Sequence, residues 1–197
     1  MELFVQIKEH VVNKLKEGLA ESLTYHNLDH TLDVLDQALE IAGKEKITNP
    51  EDLLLLKVSA LYHDVGFLDT YSGHEERSCV IAAEELTCFG FNPTQVDMVM
   101  GMIRATKVPQ TPQNQLEEII CDADLDYLGR SDFFKIGDGL YQEFLDQQIV
   151  TNEQQWDMLQ VRFLENHRYF TKSSLQRRQE KKMQHLKAIK ERVGLLR

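Results

Sequence analysis

Apolar residues recur along this chain at steps of three and four, and the alternation of a half-buried strand is almost absent. Leu28, Leu32, Leu35 and Leu39 form one such stripe, and Gly43 marks its stop. Asn49-Pro50-Glu51 supplies a cap and a first-turn proline for a helix reaching Tyr62. Another helix is predicted from about Gly73 to Phe89, ending at Gly90. Asn92-Pro93 opens the next, which carries Val96, Val99, Met100 and Ile103. Lys107 to Asn114 holds both remaining prolines and is predicted as a loop. Helical spacing resumes over 115–128, 132–147 and 152–170, the last with Trp156, Leu159 and Phe163 inward. A final helix starts after Thr171, with Ser173 or Ser174 as its cap. The prediction is an all-α fold: one helical domain over residues 1–197, with about eight or nine helices and no repeat or linker.

Composition narrows the function classes. The chain has 197 residues, enough for one substantial core. Its formal net charge is −10, which argues against a nucleic-acid polymer as partner, since phosphate contacts need basic surface. No apolar run approaches the roughly 20 residues of a membrane span. The start Met1-Glu2-Leu3-Phe4 lacks the cationic, apolar pattern of a signal peptide, so a cytoplasmic location is expected. Cys79, Cys88 and Cys121 are odd in number and form no CxxC pair, and buried free thiols are the expectation. Residues 171–197 reverse the charge, with nine basic against two acidic side chains. The simplest expectation for that helix is a solvated face; docking on the acidic body or on an anionic partner is the alternative.

The candidate chemistry is gathered in three places. His26 and His30 stand four apart in Tyr25-His26-Asn27-Leu28-Asp29-His30, and on a helix they would share a face. His63-Asp64 ends a strongly apolar helical pattern two residues before Gly66. Asp122-Ala123-Asp124-Leu125-Asp126 ends another that carries Leu116, Ile119 and Ile120. A bare carboxylate or imidazolium at an interior helix end is costly unless paired or bound to metal. Two imidazoles and two carboxylates neutralise a divalent cation and leave positions open for water or substrate oxygen.

The ordered set His30, His63-Asp64 and Asp124 resembles the HD superfamily of metal-dependent phosphohydrolases. Tyr25-His26-Asn27-x-x-His30-x-x-Asp33-Val34 is also similar to the first motif of class I cyclic-nucleotide phosphodiesterases, and Ile103-Arg104-Ala105-Thr106-Lys107 to the segment those enzymes carry before the last aspartate. The resemblance covers about residues 22–130, with helices over 131–197 packed on that core. It implies an HD-type helical domain, a divalent metal (Mn, Fe, Co, Ni, Zn or Mg) held by His30, His63, Asp64 and Asp124, and hydrolysis of a phosphate ester by metal-activated water. The expected substrate is a small phosphorylated metabolite, a nucleotide first. The alternatives are a cyclic-nucleotide phosphodiesterase and a nucleotide-sensing domain without turnover.

Roles follow from that resemblance. His26 is the candidate general acid, and Asp64 is counted with it as catalytic because it would bridge a second metal. Asp33 and Asp122, with Asp126 as a further choice, would orient the ligating imidazoles. Lys107 is the first choice for the substrate phosphate, followed by His74 and Arg104, then Arg77. Arg162, His167 and Arg168 are expected mainly on a core helix. His10 and His185 have no motif around them and are expected at the surface. There is no Gly-Tyr-Pro run, and Thr106 stands where a dinuclear site would carry a histidine, so one metal is favoured.

Overall fold

The computed structural model describes residues 2–196. Among them are nine α-helices and no strand. These are α1 (Glu2–Gly18), α2 (Leu28–Lys44), α3 (Pro50–Tyr62), α4 (His74–Cys88), α5 (Pro93–Thr106), α6 (Gln115–Asp124), α7 (Phe133–Asp146), α8 (Glu153–Asn166) and α9 (Lys172–Arg192). Two short 3-10 turns, Val65–Leu68 and Asp126–Gly129, follow α3 and α6. No helix among the described residues is long and apolar enough to cross a membrane.

Side-chain caps set most helix starts. Asn49, Asn92, Asn114, Asn152 and Thr171 each accept a backbone N–H of the first turn. Thr171, rather than Ser173 or Ser174, caps α9. Asn27 caps α2 by accepting from His30 N at 3.1 Å, so His26 lies before the helix and shares no helical face with His30. The buried edge of α2 runs through Thr31, Val34, Leu35, Ala38 and Ile41, while Leu39 is exposed, so the buried face is rotated from the leucine stripe. α1 has no counterpart among the individual helices marked from sequence. It buries Ile7, Val11 and Leu15, one per turn.

Two apolar clusters result. The larger is mostly aliphatic and joins α1 to α6, with Leu55, Leu56, Leu61, Ile103 and Ile119 at its centre. The smaller is richer in aromatic rings and joins Tyr25, Tyr127 and Phe133 to Val161, Leu164, Leu186 and Ile189.

The stretch expected as one helix over 115–128 is broken after Asp124. The break turns Asp126 inward, where Arg178 of α9 donates to it at 2.8 Å. Gly129 lies against the same residue: a Cβ there would stand 2.4 Å from the Arg178 carbonyl oxygen. The basic last helix is therefore docked on the acidic body, and the solvated-face expectation is corrected. α9 buries Lys182, His185, Leu186 and Ile189, and pairs Arg177 with Glu40 and Lys190 with Glu165. His185 is buried, not at the surface, and stacks on Phe133 at 4.5 Å; His10 is exposed as expected. Cys79 and Cys121 are buried free thiols, but Cys88 is exposed.

Candidate metal centre and its cavity

Four side chains from three distant places in the sequence meet where α2, α3 and α6 come together. His30 enters from the first turn of α2, His63 and Asp64 from the end of α3, and Asp124 from the end of α6. Ligand atoms of His30, His63 and Asp124 all lie within 4.8 Å of one another. Asp64 Oδ2 lies 3.1 Å from His63 Nε2 and 3.4 Å from His30 Nε2. His30 Nε2 is also 3.3 Å from Asp124 Oδ1. The two imidazole Nε2 atoms face each other at 3.3 Å. His63 Nδ1 donates to the Ala60 carbonyl at 2.9 Å, which turns the Nε2 lone pair of that ring toward the others.

This donor set fits a divalent cation. Two facing lone pairs repel unless a proton or cation lies between them. Asp64 Oδ2 is buried with no hydrogen-bond partner, a costly arrangement for a carboxylate oxygen unless it has a cation to bind. The local charge agrees. Burial pushes the His30 imidazole down, but the adjacent Asp124 and Asp64 carboxylates outweigh it and lift the ring to about 10. Asp64 is held well below the usual carboxylate range: burial opposes ionisation, and His63 and His30 overcome it. The donors are mixed nitrogen and oxygen, which suits Mn, Fe, Co, Ni or Zn and admits Mg.

Asp64 and Asp124 open onto a cavity of about 850 Å³. His26 lines it beside them, 6.0 Å from the His30 ring between centroids, and stacks on Phe67 at 4.3 Å. Phe67 in turn stacks on His74 at 3.9 Å. His26 is held by a residue that sequence reasoning did not single out. Glu143 of α7 is fully buried and takes His26 Nδ1 on one oxygen, where Tyr71 Oη also donates at 2.9 Å. Its other oxygen accepts the backbone N–H groups of Tyr25 and His26 at 3.0 and 3.1 Å. Burial raises the Glu143 carboxyl, but the hydrogen bond and charge of His26 carry it below its ordinary range. Phe133, Gly137, Leu140 and Phe144 step by three and four along α7, and Glu143 sits beside Phe144 on that stripe. An acid on an apolar stripe was the one signal that could have found it.

The other expected site residues divide. Lys107 is exposed and lines the cavity, as does Thr106. His74 also lines it, but its Nε2 lies 3.5 Å from Asp64 Oδ1, next to the carboxylate. Arg104 does not reach the cavity; it pairs with Glu76 at 3.1 Å on the exposed side of α5. Arg77 is half-buried, lies outside the cavity and pairs with Asp69. Asp33 does not orient His30: Arg130 donates to both its oxygens, at 2.7 and 2.8 Å. Asp122 is also turned away from the imidazoles. It accepts Phe170 N at 2.9 Å, Thr171 N at 2.8 Å and Thr171 Oγ1 at 2.7 Å, fastening the turn into α9. Burial outweighs those bonds and pushes its carboxyl up to about 6. Asp126 is spent on Arg178. Arg162 is exposed, and His167 borders a smaller cavity of about 120 Å³ instead.

The helices expected only to pad the core build the far wall of the main cavity. Leu140 and Phe144 of α7 and Trp156, Leu159, Phe163 and Leu164 of α8 line it, with Leu125, Leu128, Phe133 and Ile149.

A family model described as HD domain matches residues 27–126, a span that includes all four converging side chains and stops short of α7. A crystal structure described as a predicted HD superfamily hydrolase, from an uncultured Thermotogales bacterium, is similar at 20% identity with a TM-score of 0.62, covering 94% of this chain and 91% of that one. Its likeness is one of fold. Among curated proteins none matches the chain significantly.

Proposed function

The chain belongs to the HD domain family, and from that premise we propose that it is a metal-dependent phosphohydrolase cleaving a phosphate ester of a small metabolite. One observation carries the reading: two imidazole Nε2 atoms lie 3.3 Å apart with oxygens of Asp64 and Asp124 beside them, and those two carboxylates open onto a cavity that also holds a steered histidine. The crystallographic neighbour, itself described as a predicted hydrolase, supports hydrolysis.

His30, His63, Asp64 and Asp124 would hold the cation. Bound there, a divalent ion supplies Lewis acidity toward a phosphoryl oxygen and toward water. The remaining work falls to the chain. Glu143 fixes His26 through Nδ1, which leaves Nε2 to hand a proton to the departing oxygen. Tyr71 holds the same Glu143 oxygen and limits its rotation. Lys107, at the cavity wall, attracts the phosphate. Phe67 backs both His26 and His74 and keeps water from one face of each ring.

The test is a panel of phosphate monoesters, nucleotides and cyclic nucleotides, assayed with protein loaded in turn with Mn, Co, Ni and Mg. Metal-dependent release of phosphate, or opening of a cyclic diester, is expected. A folded, metal-loaded protein inert on the whole panel would overturn the reading in favour of a ligand sensor.

A further inference from the structure

Resting on the phosphohydrolase reading, we infer that the ester is a single phosphate carried by an apolar alcohol, whose hydrocarbon part fills the pocket between α7 and α8. Two independent features of the cavity support this.

The first is charge. Among the described lining residues, Lys107 is the one lysine or arginine, against the carboxylates Asp64, Glu75 and Asp124. A divalent cation would bring that lining to about neutrality. Nothing is then left over to balance the three or four negative charges of a di- or triphosphate, which ordinarily meet arginine clusters or glycine-rich loops. One phosphate beside one lysine is the load this wall can carry.

The second is shape and chemistry. Protein interiors hold few voids larger than a water molecule, yet this cavity has about 850 Å³, toward the upper end of the roughly 300–1,000 Å³ typical of ligand sites. Over residues 140–164 its lining is mainly Leu140, Phe144, Trp156, Leu159, Phe163 and Leu164, with the exposed Gln147 and the buried Gln160 as the polar side chains. The Gln160 amide, a candidate for recognising a base, already donates to Asp157 at 3.3 Å. A sugar or a purine would bury several polar groups against this wall without partners, and each such group costs binding. A hydrocarbon chain or unsubstituted ring costs nothing there.

Trp156 is the single tryptophan of the chain and lines the pocket, so its fluorescence reads occupancy directly. The wild-type protein is titrated, without and with Mn, against alkyl phosphates from ethyl to decyl, the matching alcohols, AMP and ATP. Affinity is expected to rise roughly three- to fourfold per methylene for phosphates and alcohols alike, with AMP and ATP weaker than decyl phosphate. Leu140→Gln should weaken decyl phosphate about tenfold and leave ethyl phosphate unchanged. An affinity independent of chain length, or AMP bound more tightly than decyl phosphate, overturns the inference. Hydrolysis, scored separately, keeps the two claims apart. A steep length dependence without turnover sinks the phosphohydrolase reading and leaves the apolar pocket standing; a flat dependence with rapid hydrolysis of AMP does the reverse.

Discussion

The two halves of this molecule bury different things. From α1 to α6 the interior is mostly aliphatic, and the buried His63 and Asp64 bring charge to one end of it. From α7 to α9 a smaller, aromatic-rich cluster is joined by buried charges: Glu143 to His26, Asp126 to Arg178, Asp157 to Arg192 and Lys182 to the His167 carbonyl. The first half is stabilised by non-directional packing, which tolerates a small shift. The second is specified by hydrogen bonds that are satisfied in one arrangement only, and a lost partner there leaves a bare charge. The first half supplies the cation site, and the second supplies the orientation of His26 and most of the wall that selects what enters.

Asp124→Ala tests the first half most severely. It should abolish stoichiometric metal on elemental analysis and lower turnover by at least ~100-fold, with the helical signal in circular dichroism retained. His26→Ala tests the link between the halves. Metal content should stay at wild type while kcat falls by roughly 10²–10⁴-fold; equal turnover on every substrate would refute the proton-donor role.

Arg178→Gln probes the second half alone. Asp126 is fully buried, and without its partner the fold should lose about 3–5 kcal/mol in denaturant melts. A loss near zero would mean that these charges do not specify the second half.

A gentler probe is acid. Burial and the adjacent Lys182 ammonium push His167 down to about 3 from an ordinary 6.5, and Lys182 lies 3.2 Å from its Nδ1. The unfolded chain takes up a proton that the folded chain refuses. Stability from this group is therefore complete above about pH 6.5 and falls as pH drops toward 3. His167→Gln should flatten the stability–pH curve over that window by about 1–3 kcal/mol. The smallest effect is expected from Lys181→Gln with Lys187→Gln. Both side chains are exposed, so stability should stay within about 0.5 kcal/mol and KM should not move.

The same division shows what could be read from sequence. Caps, prolines and apolar spacing placed α3, α4, α5 and the loop over 107–114 within a residue or two, because those signals act locally. Three of the four converging donors were legible because His63, Asp64 and Asp124 close apolar runs, where burial is costly without a partner or a cation, and His30 was legible through the resemblance of its motif. Asp33 and Asp122 misled because one lies three residues from His30 and the other two from Asp124, whereas Arg130 and the turn at Phe170-Thr171 claim them from 97 and 48 residues away. Glu143 escaped notice because its partner His26 lies 117 residues earlier, and no local pattern encodes that meeting. The break after Asp124 was equally hidden, since Arg178, the partner that Asp126 meets beyond it, sits on the last helix.

Glu143 lies beyond residue 126, where the family match ends. A fragment excised at that boundary would retain all four side chains proposed to hold the cation and forfeit the carboxylate that holds His26, the proposed proton donor. Among chains that share the four-residue signature, those with no acid at the equivalent point of the following helix would sequester metal and turn over poorly. Under the proposed mechanism, that lone carboxylate distinguishes chains equipped for turnover from those equipped only to hold metal.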